Sequence, residues 1–375
     1  MTMKKTILSI VSVLLACLVV GCSDVQQMKK DRRYMTTPNI SYVDEFPKTI
    51  SLTNPTEYNS QLLGVRHFRI KGHYLIAGTG DKQNIFKVVD LDSDKVVGGM
   101  FNIGKSKEEL AFPPFFGNGC SFYEKNDSLY ADVFDNIRGR MLTVNVDESV
   151  KAHKLSLKAE TPGLDNNVVV ALKADGSRYL IRSVSDDQKK CNRSLRNLAT
   201  GAQETLSVFD NLNEASLKGD ADNNLLSCGF AVSDNGFVAE APVNLNYINV
   251  YRLDGSFAKT VCIGKALDDI DELSRKDMGS RNYMFSDVRT FDNFFGVIHA
   301  NQTWGDLMAG KECKPSVLLF SYSGEPIAEV KLDVAAACFD IDTRHGMLYV
   351  LDSMTGNLMR YDIKKALGFL PIAGE

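Results

Sequence analysis

"CSFYEKNDSLYADVFD" at 120–135, "CGFAVSDNGFVAEAPV" at 228–243 and "CFDIDTRHGMLYVLDS" at 338–353 share one pattern. Each starts with a cysteine, runs four or five residues, breaks at a polar cluster and returns as a second run. β-Branched and aromatic residues favour extended strands, and Asn, Asp and Gly supply tight turns. Each stretch therefore reads as a β-hairpin. The cysteine lies eight residues before Ser128, Gly236 and Gly346 at the turns. Counting back eight from Gly72, Gly176 and Asn293 adds starts at Gly64, Val168 and Phe285. The starts 64, 120, 168, 228, 285 and 338 are separated by 56, 48, 60, 57 and 53 residues. That repeat is weak in letters and steady in period.

A second hairpin follows within the unit, as in "FKVVDLDSDKVVGGMF" (86–101), "INVYRLDGSFAKTVCI" (248–263) and "VLLFSYSGEPIAEVKL" (317–332). Four strands per unit, taken six times, is the layout of a propeller, whose blades cannot bury both faces alone. The expected fold is all-β: a six-bladed β-propeller of four-stranded blades over 46–370, with 371–375 as a C-terminal tail. The sixth unit, ending at "GNLMRYDIKKALGFL" (356–370), shows three strands, and "KTISLTN" (48–54) is the candidate for its missing outer strand.

The chain begins Met-Thr-Met-Lys-Lys, and Ile7 to Gly21 is an apolar run of fifteen residues. Spanning a bilayer takes about 20 apolar residues, so the run is too short for a permanent span. Basic start, apolar middle and small terminal residue describe a signal peptide over 1–21. Val19-Val20-Gly21-Cys22 resembles the bacterial lipobox. The resemblance implies cleavage before Cys22 and its acylation, with diacylglycerol on sulfur and a palmitate-type chain on the amine. Residues 22–45 are polar, with Lys and Arg clusters and no apolar period, and read as a lipidated flexible stalk. The expected location is the bacterial envelope, at the outer membrane, with its side left open.

"NIGKSKEELAFPPFF" (102–116) follows a unit's last strand, and "CIGKALDDIDEL" (262–273) repeats its Ile-Gly-Lys start. These connections resemble the I-G-x-G-x-G-E-F link of the TolB-like six-bladed propeller lipoproteins. The chain departs from that pattern at Ser106 and Glu108. The resemblance spans roughly 46–370 and implies architecture without chemistry, since most members of that family have no assigned function.

A net charge of −4 makes no case for nucleic acid. Cys120, Cys191, Cys228, Cys262, Cys313 and Cys338 remain after Cys17 and Cys22, with no CxxC among them. Cys120, Cys228 and Cys338 open alternate units, too far apart for one zinc ion at about 2.3 Å per sulfur, and read as core residues. No GxSxG, HExxH or phosphate loop occurs, and the five His are scattered. "DLDSDK" (90–95) and "DADNN" (220–224) lack the Gly and Glu of a calcium loop. No cofactor, metal or catalytic residue is expected.

The expected function is non-catalytic recognition of a protein or glycan at the envelope. An enzyme using carboxylates at the channel mouth to act on glycans, or a structural scaffold of an envelope complex, is the alternative. In a propeller the first-to-second and third-to-fourth turns share one face, and here they read as short. The second-to-third loops and blade connections share the other and hold 104–119, 186–194, 210–226, 264–284 and 301–315. Long loops on a rigid scaffold carry recognition. The candidate ligand-binding residues are Trp304, the only Trp, with Tyr247, Asn244, Asp135 and Arg138, on the same face as Lys105. The tether is tested separately: the wild-type chain should enter the detergent phase on partition, and Cys22→Ala should leave it in the aqueous phase.

Overall fold

The computed structural model describes residues 31–58, 62–219 and 221–368. The expected signal peptide, Cys22 and the tail 371–375 lie outside the described residues. Six sheets form, and their inner strands are Val65–Lys71, Cys120–Lys125, Val168–Asp175, Cys228–Val232, Asn282–Thr290 and Ala336–Asp342. These starts match the six repeat positions closely. Within each sheet the chain steps outward strand by strand, which makes six blades around a channel. Both faces of a blade are covered by its neighbours, so second strands need no polar alternation. Tyr74–Thr79 (YLIAGT) is buried at every position. Between blades 5 and 6, Phe294, Ile298, Leu319, Phe339 and Val350 fill one core.

An inner strand is also a sheet edge, and its free N–H groups face the blade before it. Leaving a buried N–H unpaired costs about 1–3 kcal/mol. Three seams solve this alike. Ser121 Oγ accepts from Lys173 N at 2.8 Å, linking blades 2 and 3. Asp287 Oδ2 accepts from Phe339 N at 3.1 Å, linking blades 5 and 6. Asp340 Oδ2 accepts from Ile70 N at 2.8 Å, linking blades 6 and 1.

The N-terminal segment departs from expectation. Residues 32–45 are no flexible stalk; they pack between and across blades. Arg32 O accepts from Ser216 N and Arg33 O from Ile270 N, each at 3.0 Å. Met35 is 1% exposed; its N–H donates to Tyr247 Oη at 3.1 Å, and its carbonyl accepts from Asn249 Nδ2 at 2.9 Å. Ile40–Val43 then pairs in parallel with Ala258–Ile263 as a fifth strand of blade 4. Thr49–Ser51 pairs in parallel with Pro326–Lys331 as a fifth strand of blade 5, and so does not close the ring. Thr56–Glu57 closes it, pairing antiparallel with Leu358–Asp362 as the fourth strand of blade 6. One strap thus covers the outer edges of three successive blades.

Beneath the strap lies a buried ion pair. Arg193 and Glu240 have fully buried side chains, and Arg193 Nε is 2.9 Å from Glu240 Oε2. Arg193 Nη1 also donates to Leu212 O at 3.0 Å, and Tyr251 Oη donates to Glu240 Oε2 at 3.2 Å. Arg193 holds the Glu240 carboxyl below its ordinary range despite complete burial. Removing one partner leaves a buried charge unpaired, which costs about 3–5 kcal/mol, whereas apolar replacement of both is often neutral. Glu240→Leu should lower the melting temperature markedly, and Arg193→Met with Glu240→Leu should recover much of the loss. Equal losses in the single and double variants would show that the pair is not the cause.

Candidate functional site

The two ends of the channel differ. On the connection face, residues 112–119 cross the opening and end in the short helix Phe116–Gly119. Phe116 is 1% exposed, with ring centroids 4.1 Å from His67, 4.9 Å from Phe86 and 5.3 Å from Phe122. Burial holds His67 down at about 3, so the ring is neutral. The space it fills exists because residue 78 is Gly; a Cβ there would meet the imidazole at 2.0 Å. One end is plugged.

Above Phe116 a cavity of about 720 Å³, lined by all six inner strands, opens among the first-to-second turns. Phe122, Phe230 and Leu172 give it an apolar lower wall, and Arg69, Lys173 and Arg289 bring cations from blades 1, 3 and 5. Lys173 is satisfied internally. Its amine lies 3.0 Å from Asp132 and 4.4 and 5.1 Å from the Tyr123 and Tyr179 ring centroids. Asp132 also accepts from Tyr179 at 2.6 Å, Thr143 at 2.6 Å and Tyr123 at 3.1 Å.

Arg289 donates to Asp287, to Val288 O at 2.8 Å and to Phe68 O at 3.1 Å. Its side chain is 3% exposed and lies 3.6 Å from Asp340 through an Nε that donates no hydrogen bond. Arg69 is the least committed cation: Nη1 reaches Phe68 O at 3.3 Å and lies 3.9 Å from Asp287. At the rim Lys71 of blade 1 meets Asp234 of blade 4 at 2.6 Å. Those blades are opposite in a ring of six, so the pair spans the mouth.

Asp340 lines this wall, but both its oxygens accept main-chain N–H groups, from Ile70 at 2.8 Å and Ile341 at 2.9 Å. Asp287 likewise accepts from Val288 N and Phe339 N. These carboxylates stitch blades together. They occupy the same repeat position, two residues beyond 285 and 338, inside otherwise apolar strands. That recurrence was the sequence signal for this wall.

The sequence-derived candidates lie on the other face. Trp304 Nε1 donates to Asn244 Oδ1 at 2.6 Å, and its ring meets Tyr283 edge-on at 4.7 Å. That joins blades 4 and 5. Tyr247 is wholly buried under Met35. Asp135 is 1% exposed and accepts from Arg140 Nε at 3.1 Å. Arg138 donates to the carbonyls of Gly104 and Glu109, the latter at 2.6 Å. It holds down the loop containing Lys105, so Trp304 and Lys105 share the connection face. Among the five, Trp304 touches Asn244, and Arg138 lies 3.5 Å from Asp135. The opposite face is not uniformly short-turned, because the helix Val146–Ala152 intervenes in blade 2.

"DLDSDK" forms a tight turn in which Asp90 accepts from Ser93 N at 2.8 Å, and Asp222 caps the turn Asn223–Leu226. Cys120, Cys228 and Cys338 are buried free thiols in three separate cores. Among the described residues, no group of three or more His, Cys, Asp or Glu is placed to hold a metal ion. No helix among them is long and apolar enough to cross a membrane.

No family model matches this chain, and no curated protein matches it. Among solved structures, it resembles a member of the DUF4221 family from Bacteroides vulgatus. That likeness has a TM-score of 0.52 and 13% identity, covering 85% of this chain and 96% of that one. An exported protein from Bacteroides fragilis aligns at a TM-score of 0.49 and 13% identity, over 86% of this chain and 97% of that one. The first of these likenesses shows a shared fold and nothing about activity.

Burial pushes Asp287 up to about 7 and Asp340 up to about 6, against the pull of Arg69. Between an unfolded value near 3.8 and these, the folded protein holds protons that the unfolded chain releases. Stability contributed by these sites therefore falls as pH rises from about 4 to about 7. The melting temperature of Asp287→Asn should depend less on pH between 5 and 8 than that of the wild type. An unchanged dependence would show that Asp287 does not titrate there.

Proposed function

We propose that this chain is a non-catalytic binding protein of the bacterial envelope, tethered through lipid on Cys22 and akin to the TolB-like propeller lipoproteins. Its ligand is the end of a polar, anionic glycan or peptide, received in the channel mouth among the first-to-second turns. The blind channel carries this reading: its apolar floor holds Arg69, with a largely uncommitted guanidinium, beside Arg289. A guanidinium held in such a site suits a carboxylate, because charge-assisted hydrogen bonds strengthen away from water. The Lys71–Asp234 pair across the mouth is part-exposed. Pairs of that kind contribute about 0–1 kcal/mol, so a ligand displaces it at little cost.

Binding is favoured over glycan hydrolysis because hydrolysis needs one carboxyl as acid and another as base or nucleophile. Asp287 and Asp340 are engaged by main-chain N–H groups. Binding at the mouth is favoured over the long-loop face because Tyr247, Asp135 and Arg138 are occupied by structural partners. The test is binding to arrays of acidic glycans and peptides. Arg69→Gln should weaken binding about tenfold or more, as losing a hydrogen bond to a charged group costs about 1.5–3 kcal/mol. Trp304→Ala should leave it unchanged. The reverse result would place recognition on the connection face.

A further inference from the structure

Exposed apolar side chains are unevenly placed. Among the described residues nine large hydrophobic side chains are exposed, and eight of them lie on the connection face. Leu63 precedes blade 1, Phe112 and Phe115 link blades 1 and 2, Ile137 tips a turn of blade 2, Met278 links blades 4 and 5, and Met308 follows Trp304 in blade 5. The exposures of these six run from 46% for Met278 to 76% for Leu63. The ninth, Tyr42, sits on the strap. The face around the channel mouth has none. Apolar side chains gathered on one face mark an interaction surface.

The strap says what covers it. Arg32 and Arg33 are bonded to Ser216 and Ile270, which belong to the blade 3–4 and 4–5 connections. The chain therefore enters the propeller on this same face. Cys22 is ten residues before Arg32, and ten extended residues reach at most about 35 Å. A lipid on Cys22 keeps Arg32, where the chain meets this face, within that distance of the bilayer.

We infer that the connection face is a membrane seat, lying on the lipid surface with Phe112, Phe115, Met278 and Met308 entering the interfacial region. Aromatic and apolar side chains settle at that boundary, and a second contact strengthens a lipid anchor. The inference rests on the tether proposed above, and it explains the exposed Phe and Met side chains that ligand binding at the mouth does not use.

The protein carries its own reporter, since Trp304 is its only tryptophan and stands on this face. The full-length lipidated chain is floated with phosphatidylethanolamine–phosphatidylglycerol vesicles, with and without brominated acyl chains. Co-flotation and a loss of Trp304 emission in the brominated vesicles are expected. Phe112→Ser with Phe115→Ser changes two exposed side chains; it should still float through its lipid while losing most of the quenching. Flotation with equal emission in both vesicles would overturn the seat and leave the tether standing. Neither flotation nor quenching would overturn both. Equal emission together with a dimer that the double variant abolishes would overturn the seat in favour of a contact between copies.

Discussion

Ring closure is the constraint on which everything else depends. Six sheets that bury one another's faces are stable only when the last meets the first. That meeting consists of Thr56 and Glu57 pairing with Arg360 and Met359. The short pairing is reinforced on both sides. Upstream the strap adds parallel strands to blades 4 and 5, and downstream Asp340 accepts the Ile70 N–H across the same seam. The strap also blunts the outer edges of three sheets, which would otherwise offer free N–H and C=O groups to another chain.

Closure gives the molecule two unlike ends. One is sealed by Phe116, held by the neutral ring of His67, and crossed by connections that Arg138 and Trp304 bind to neighbouring blades. The other is an open mouth with charged side chains inside. Cations and carboxylates inside the ring are matched almost one to one: Lys173 with Asp132, Arg289 with Asp287, Arg193 with Glu240. Arg69, near Asp287 but not tightly bonded to it, gives the cavity chemical character.

The hairpins opened by Cys120, Cys228 and Cys338 made the propeller legible, because blade strands are buried on both faces and their apolar runs are conspicuous. The strap was illegible for the opposite reason. Its strands are two to four residues long and bonded largely through main-chain groups and Thr side chains, as where Thr37 N donates to Thr260 Oγ1 at 2.8 Å. Polar composition there looked like solvation. Asp135 and Arg138 show the same ambiguity, because a charged residue reads alike in sequence whether it meets solvent, a carbonyl or another charge. The wall of the mouth was hidden because its charges lie one or two to a strand, in separate strands brought together only by the ring.

The strap also sets an order of assembly. Its partners at Thr260, Glu329 and Arg360 all lie in the last third of the chain. Joining ends about three hundred residues apart costs roughly 5 kcal/mol in chain entropy and slows folding, but it cannot happen early. Until blade 6 is made the ring cannot close, because Thr56–Glu57 has no strand to join. The first segment of the propeller to be made is therefore the last to be seated.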